Sequence, residues 1–426
     1  MKMIIEFKGA RMLEEDALRQ RGPGSELSQT RARAASEVSL IHWWVSGGEA
    51  AALDVLKRKL FEAEVGFYDT PIAGGAKLKA DLKAMVSGGD IPTAAVMSGY
   101  ETWYWARQGV LGDLSALAAA EDWSNAVPPA LQKFCKYNGK WIGVPVALHS
   151  INWLWINTAA AEKIGLEMPP ASMDALFVAL DLAKSAGLVP MAIGGQPWLM
   201  ATLFDSVVLG TNGPDFYKSA FVELDEAALK SSEMTRAFQN LSRLASYATA
   251  SSSAVHWNDA TDMVITGRAL LEVSGDWAKA EYRAAQKKLG IDYLCVRFPG
   301  TEDDILFNAD IIAMFDVEPY RQPAQAKLAK AIMDPTFQVS FNDAKGAAPA
   351  RIDVPDAALD AFEQSALADV RAANSNGRLI GAMSHGYMQP TVIQEAYFDV
   401  VVKVFRSEIR PEAAAETLGV AIAAVK

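Results

Sequence analysis

The chain of 426 residues is poor in cysteine, histidine and positive charge, and each scarcity excludes something. Cys135 and Cys295, the two cysteines, lie far apart and match no metal or redox spacing. Two buried thiols and a single disulfide in an oxidising compartment both fit that pattern. No two of the four histidines have a metal-ligand spacing, so no metal cofactor is expected. With 40 basic against 51 acidic residues, a formal charge of -11 and a pI near 5.0, the chain lacks the basic stripe that nucleic acid or an anionic membrane surface calls for. Long apolar runs are also missing. Even Leu418 to Val425 falls well short of the ~20 residues of a membrane span. The pairs Gly47-Gly48, Gly74-Gly75 and Gly194-Gly195 stand outside any phosphate-cradling motif, which argues against a nucleotide cofactor.

Tryptophan is what the chain has in abundance. Several of the eleven sit beside glycines, a histidine or a carboxylate: His42-Trp43-Trp44-Val45-Ser46-Gly47-Gly48-Glu49, Gly194-Gly195-Gln196-Pro197-Trp198 and Gly275-Asp276-Trp277-Ala278-Lys279. An indole face beside fixed donors and acceptors matches a pyranose, whose C–H face is apolar and whose rim is hydroxylated. Trp123, Trp141, Trp153 and Trp155 lack such neighbours and read as core. Trp103 and Trp105 are two apart in a helical pattern, so one of them belongs to the core.

With 51% hydrophobic and 21% charged residues the composition is globular, and the length suits two lobes of about 150 to 200 residues each. Residues 1–36 read as a leader, polar and rich in arginine. Ala32-Arg33-Ala34 has the small-x-small pattern of a signal-peptidase site, so the expectation is a native signal lost or replaced and a mature domain beginning near Ala35. A cytoplasmic protein with a polar tail is the alternative. Val38 to Trp44 reads as a strand and Ser46-Gly47-Gly48 as the turn into a helix carrying Leu53, Leu56 and Leu60. A second helix carries Leu78, Leu82 and Met85, and the strand Thr93 to Met97 follows. This rhythm predicts an α/β lobe with a mainly parallel sheet, whose ligands bind beyond the carboxyl ends of the strands. The extended passage from Trp141 to Asn157, broken at Pro145 and His149-Ser150, predicts a crossing between lobes. Tyr293 to Phe298 and Ile305 to Phe315 read as extended, and the tail from Ala357 as helical with Pro390 and Pro411 at helix starts or breaks.

The segment Tyr137-Asn138-Gly139-Lys140-Trp141-Ile142-Gly143-Val144-Pro145, with Trp155-Ile156-Asn157, resembles the extracellular solute-binding proteins of bacterial ATP-binding-cassette (ABC) sugar importers. The glucose-binding branch is matched further by His42-Trp43-Trp44, Gly48-Glu49, His149, Gly194-Gly195-Gln196-Pro197-Trp198, Gly275-Asp276-Trp277-Ala278-Lys279, Phe307-Asn308-Ala309-Asp310, Lys345-Gly346 and Ser384-His385-Gly386. The resemblance runs from about Val38 to the C-terminus. It implies a two-lobe periplasmic-binding-protein fold of type II, with the ligand in a cleft between lobes formed by 37–147 plus 305–348 and by 148–304 plus 349–426. A periplasmic monomer that hands a mono- or disaccharide to a membrane permease is implied, and a chemoreceptor is a second compatible partner. The ligand set expected at these positions is Trp43, Trp44, Glu49, Trp198, Trp277, Asn308, Lys345 and His385, with His149, Gln196, Asp276 and Asp310 in a second rank; Ser98 joins the first set and Tyr100 the second by their place in the loop after the third strand, where this chain departs from the branch. The resemblance also implies a disulfide between Cys135 and Cys295.

Four positions depart from the branch. Ser98 stands where a lysine is common, Ala147 where an asparagine is, and Leu199-Met200 where Gln-Asp is. Losing buried polar partners against a hydroxylated ligand costs about 1 to 3 kcal/mol each, which points away from plain glucose. The expectation is a glycoside or disaccharide whose bulkier part lies over Tyr100, Trp103 and Trp105. Two rival readings remain: a glycoside hydrolase using a carboxylate pair among Glu49, Asp276 and Asp310, and a binder of amines, against which Lys345 and His385 speak. Asp276 is also a candidate helix cap.

Overall fold

A computed structural model describes residues 36–248, 255–357 and 359–426. The Ala32 to Ala34 pattern lies outside the described residues. The chain opens with β1 (Glu37–His42), the helix Gly47–Glu62, β2 (Gly66–Pro71), the helix Gly75–Ser87 and β3 (Ala94–Met97), with β1 parallel to both other strands. This is the predicted α/β rhythm with one strand more. β2 is a polar edge strand, Gly-Phe-Tyr-Asp-Thr-Pro, largely exposed, so it carries no apolar alternation to read. A small hairpin, β4 (Lys136–Tyr137) and β5 (Lys140–Trp141), then leads into β6 (Gly143–Ser150), buried along its whole length.

β7 (Trp153–Asn157), β8 (Val189–Ala192), β9 (Ala269–Ser274) and β10 (Tyr293–Arg297) form a separate sheet in the order β10-β7-β9-β8. The chain then returns through β11 (Ile305–Met314), β12 (Ala348–Pro349) and β13 (Leu379–Gly381) to the first sheet, whose order is β12-β6-β11-β3-β1-β2 with β13 on β11. That sheet is mixed rather than mainly parallel, because β11 runs antiparallel to both β3 and β6. The expected boundary at 348/349 falls before β13, three residues of which pair with β11 of the first sheet.

Strand alternation divides the cores. Ala94 and Val96 of β3 face one layer with Trp44, Leu56 and Phe341, while Ala95 and Met97 face another with Leu78, Leu82, Trp105 and Phe315. In β7, Leu154 and Ile156 join the large core beneath the helices Pro197–Lys218, Ser232–Ala245, Thr391–Phe405 and Pro411–Ala423; Trp153 and Trp155 turn to the opposite face. Trp123, Trp141, Trp153 and Trp155 are all buried, as the sequence indicates.

The crossings between lobes are tied together by Asn152. Its Nδ2 donates to Thr301 Oγ1 and to the Asp304 carbonyl, both at 2.9 Å, and its Oδ1 accepts from Leu306 N at 3.2 Å. One side chain thus fastens the outgoing β6–β7 passage to the returning β10–β11 passage. The implied disulfide does not form: both cysteines are free, Cys135 buried in the first lobe's core and Cys295 on β10 against the second. The two thiols pack into different hydrophobic cores.

Candidate functional site

The first wall grows out of the loop after β1. His42 is fully buried, and its Nδ1 accepts the backbone N–H of Trp44 at 3.1 Å; burial lowers its pKa despite Asp69 at 3.4 Å. Ser46 caps the following helix while Glu49 reaches back to accept the N–H groups of Val45 (2.9 Å) and Ser46 (3.1 Å). That capping box leaves the other Glu49 oxygen 3.1 Å from Lys345 Nζ.

Lys345 is placed by an irregularity in β6. The β6–β11 register shifts beside Pro145, which has no N–H to give to the ladder. The freed carbonyls of Pro145 and Val146 accept from Gln338 and Asn342, both at 2.8 Å, one turn apart on the helix Pro335–Lys345. Three residues on, the same helix delivers its buried terminal lysine. Asp310 of β11 completes the wall, accepting from Trp44 Nε1 at 2.8 Å and lying 3.7 Å from both Lys345 Nζ and His149 Nε2. Burial pushes the Asp310 carboxyl up, but Lys345, His149 and Trp44 outweigh it and hold it at about 2.

His149 links this wall to the second lobe. Its Nδ1 lies 2.6 Å from Asp276 Oδ1, and the other Asp276 oxygen accepts Ser150 N at 2.9 Å. Burial lowers the His149 pKa, but the Asp276 and Asp310 carboxylates more than reverse that and raise it above its ordinary value. Asp276 therefore caps no helix; its carboxylate serves the histidine and the hinge backbone. Next to it, Trp277, Trp198 and His385 form a triangle of rings with centroids 5.8, 5.6 and 5.7 Å apart, and Trp277 also meets His149 at 5.5 Å. Thr202, one turn beyond Trp198, holds His385 Nε2 at 3.1 Å. Burial and the His149 charge push His385 down to about 3, so it is a neutral imidazole.

Two polar atoms on these walls have no hydrogen-bond partner among the described residues. They are Trp277 Nε1 and Asn308 Oδ1. Trp277 is 7% exposed, and Asn308 shares a strand face with Asp310 two residues away. A buried donor and a buried acceptor left open beside an aromatic triangle fit a ligand that offers hydroxyls and apolar C–H surface.

The structure thus brings together Glu49, Lys345, Asp310, His149, Asp276, Trp277, Trp198, His385 and Asn308. Trp44 is corrected: at 2% exposure, packed on His42 and Phe341, it orients Asp310 and offers no open face. Trp43 is half-buried against the first lobe's cores. Gln196 turns to His256 Nδ1 at 2.9 Å. Ser98 precedes Gly99, where φ is +53° and an added Cβ would come within 1.9 Å of the Gly386 carbonyl oxygen; only glycine permits that approach of the β3 loop to the His385 loop. Tyr100 and Trp103 meet edge to face at 5.0 Å, but Trp105 points into the core and leaves that platform.

Sequence reasoning missed Thr202 and Asp205. Asp205 is buried and accepts from Ser384 N at 2.8 Å and Tyr397 Oη at 2.7 Å, thereby fixing the His385 loop. A lone acidic residue within the apolar run Leu199 to Leu209 was the available signal. Beyond these walls the lobes touch at a rim, where Gly48 N donates to Glu281 Oε1 at 3.2 Å and Arg283 pairs with Asp343 at 2.7 Å. The carboxylates Asp343, Asp360 and Glu363 cluster there, but Lys279 and Arg283 already neutralise them.

The comparisons fit this architecture. The family of bacterial extracellular solute-binding proteins matches residues 60–368. A probable sugar-binding periplasmic protein of Mesorhizobium japonicum is 49% identical over 377 residues, 88% of this chain and 90% of that one. Its counterpart in Rhizobium meliloti is 46% identical over 402 residues, 94% and 97% of the two chains. Among solved structures, a chitin oligosaccharide binding protein superposes with a TM-score of 0.76 at 18% identity, covering 91% of this chain and 98% of that one. A maltose-bound T. maritima protein gives 0.72 at 14% identity, with 92% and 100% covered.

Proposed function

The chain belongs to the bacterial extracellular solute-binding proteins, and from that premise we propose that it captures a sugar between its lobes and delivers it to the membrane permease of an ABC importer. The observation that carries this reading is the open Trp277 Nε1 and Asn308 Oδ1 beside the Trp198–Trp277–His385 triangle. The relatives named as sugar-binding periplasmic proteins support it and favour the periplasm as its place of work.

In this reading Trp198, Trp277 and His385 of the second lobe cover the apolar face of a pyranose. Asn308, Glu49 and Lys345 of the first lobe meet hydroxyls on its rim, with Asp310, Asp276 and His149 holding them in place. Contacts from the second wall form only on closing, so ligand shifts the population toward the closed form. Gly48 permits that closure, since a Cβ there would lie 2.2 Å from Ala280 Cβ. Tyr100 adjoins the His385 loop through its backbone N–H to the Gly386 carbonyl at 2.9 Å, and its ring meets Trp103, which supports a glycoside or disaccharide as ligand.

Hydrolysis is disfavoured. A glycosidase needs one carboxyl kept protonated to act as an acid. Asp310 is held at about 2, and both Asp276 oxygens are engaged by His149 and Ser150. The chain is a binding protein, not an enzyme, as the names of its relatives also have it. Calorimetric titration with hexoses, pentoses, glucosides and short disaccharides tests the proposal. One sugar binding stoichiometrically and emerging unchanged supports it; release of reducing ends from a disaccharide would install the hydrolase instead.

A further inference from the structure

The loops after β1 and β3 share one plan. Each leads into a helix with a carboxylate in its first turn, Glu49 in the first case and Glu101 in the second, and each carboxylate faces a lysine from another helix. The pairs differ in how far they are satisfied. Glu49 accepts two backbone N–H groups and lies 3.1 Å from Lys345. Neither oxygen of Glu101, only 5% exposed, receives a hydrogen bond of good geometry among the described residues; the Ser98 and Trp105 N–H groups stand near it and only temper its charge. Its nearest cation, Lys79 of the helix Gly75–Ser87, stands 3.6 Å from Oε2, too far for a direct hydrogen bond. A buried carboxylate in that state is costly and calls for a donor.

The pair is placed where a ligand could supply one. Tyr100 N donates to the Gly386 carbonyl at 2.9 Å, so Glu101 is one residue from the seam between the β3 loop and the loop that carries His385. Lys79 is 36% exposed, while its charge is felt at the His385 ring. Burial raises the Glu101 pKa, and the Lys79 ammonium with the Ser98 and Trp105 N–H groups opposes it.

We infer that Lys79 and Glu101 form a second hydroxyl-binding station, in which one ligand hydroxyl accepts from the Lys79 ammonium and donates to Glu101. The inference rests on the sugar-capture reading and extends its ligand set to two residues of the β3 side. A polyhydroxylated ligand would then be gripped at two carboxylate–lysine pairs, Glu49–Lys345 and Glu101–Lys79, with the aromatic triangle against its face.

The test uses the full chain and the tightest-binding member of a panel of glucose, galactose, mannose, xylose, maltose and chitobiose, titrated by calorimetry. Lys79→Met and Glu101→Gln should each weaken that sugar about tenfold or more, as loss of a hydrogen bond to a charged group does. Lys83→Met, an exposed lysine on the same helix, should leave it unchanged. One monodeoxy derivative of the sugar should bind wild type and Lys79→Met equally, because the hydroxyl that Lys79 serves is already gone. Affinities of both variants within about twofold of wild type, with Trp277→Ala still losing the sugar, would overturn the station and leave sugar capture standing. Wild type binding no member of the panel would overturn the capture reading and the station with it. Should Lys79→Met lower the melting temperature, the affinity of the near-isosteric Glu101→Gln decides between these outcomes.

Discussion

Replacing Lys345 by methionine removes a buried charge while keeping its stem. In the native protein the ammonium is 3.1 Å from Glu49 and 3.7 Å from Asp310, and all three side chains are at most one-tenth exposed. Holding Asp310 at about 2, against 3.8 in an unpaired carboxyl, corresponds to roughly 2 to 3 kcal/mol of stability at neutral pH. Because the folded value lies below the unfolded one, that contribution is complete above pH 3.8 and is lost as the pH falls toward 2. Without the lysine, burial dominates and both carboxylates become expensive to keep charged. The variant should lose about 3 to 5 kcal/mol at pH 7.5, the range for breaking a buried pair by removing one partner. Protonation relieves that cost, so the deficit should shrink steadily below pH 5. Urea unfolding followed by tryptophan fluorescence at pH 7.5 and pH 3.5 measures both numbers, and Asp310→Asn in the Lys345→Met background should recover part of the loss. A deficit below about 1 kcal/mol at pH 7.5, or one equal at the two pH values, would refute the electrostatic account of this wall.

The remaining predictions concern the other wall, closure and a buried acid behind the site. Trp277→Ala should cost about 2 kcal/mol or more of sugar affinity by calorimetry, whereas Trp123→Ala, buried away in the first core, should cost stability and little affinity; equal affinity losses would remove Trp277 from the site. Gly48→Val should leave the melting temperature of the free protein near wild type yet weaken the sugar about tenfold by blocking closure against Ala280. Unchanged affinity would show that the rim contact plays no part in binding. Glu272 is buried with one oxygen unpartnered, and burial pushes it up to about 8, with Thr261 opposing. The folded state holds that proton between pH 4.5 and 8 while the unfolded state releases it, so stability falls as pH rises through this window. Glu272→Gln should raise the melting temperature at pH 8.5 and change it little at pH 4.5; no pH dependence of the difference would contradict this.

Most of the site could be read in the sequence because its signals are local. Glu49 sits three residues after a Ser at a strand-to-helix turn, and Trp277 follows a Gly-Asp pair after a strand, so chemistry and loop placement coincide. What could not be read depends on tertiary partners. Trp44 looks like an open platform beside a turn, but its indole N–H goes to Asp310, 266 residues away, and its ring fills the core. Asp276 sits where a helix cap would, yet His149 and Ser150 from the hinge claim both oxygens. Lys79 and Glu101 belong to two helices whose approach no spacing announces. For the fold, β6, β7 and β11 were legible as apolar extended runs, while β2 escaped because an exposed edge strand carries no apolar period. The disulfide failed because sequence says nothing of which core each thiol enters.

The central claim is that the interlobe walls close on a sugar. Calorimetric titration of the purified protein with the sugar panel, repeated on Trp277→Ala, tests it most directly. The account predicts one-to-one binding of at least one member of the panel to the wild-type chain and a loss of about thirtyfold or more in the variant. Silence of the wild-type chain across the panel, or a variant that binds as tightly, would contradict it.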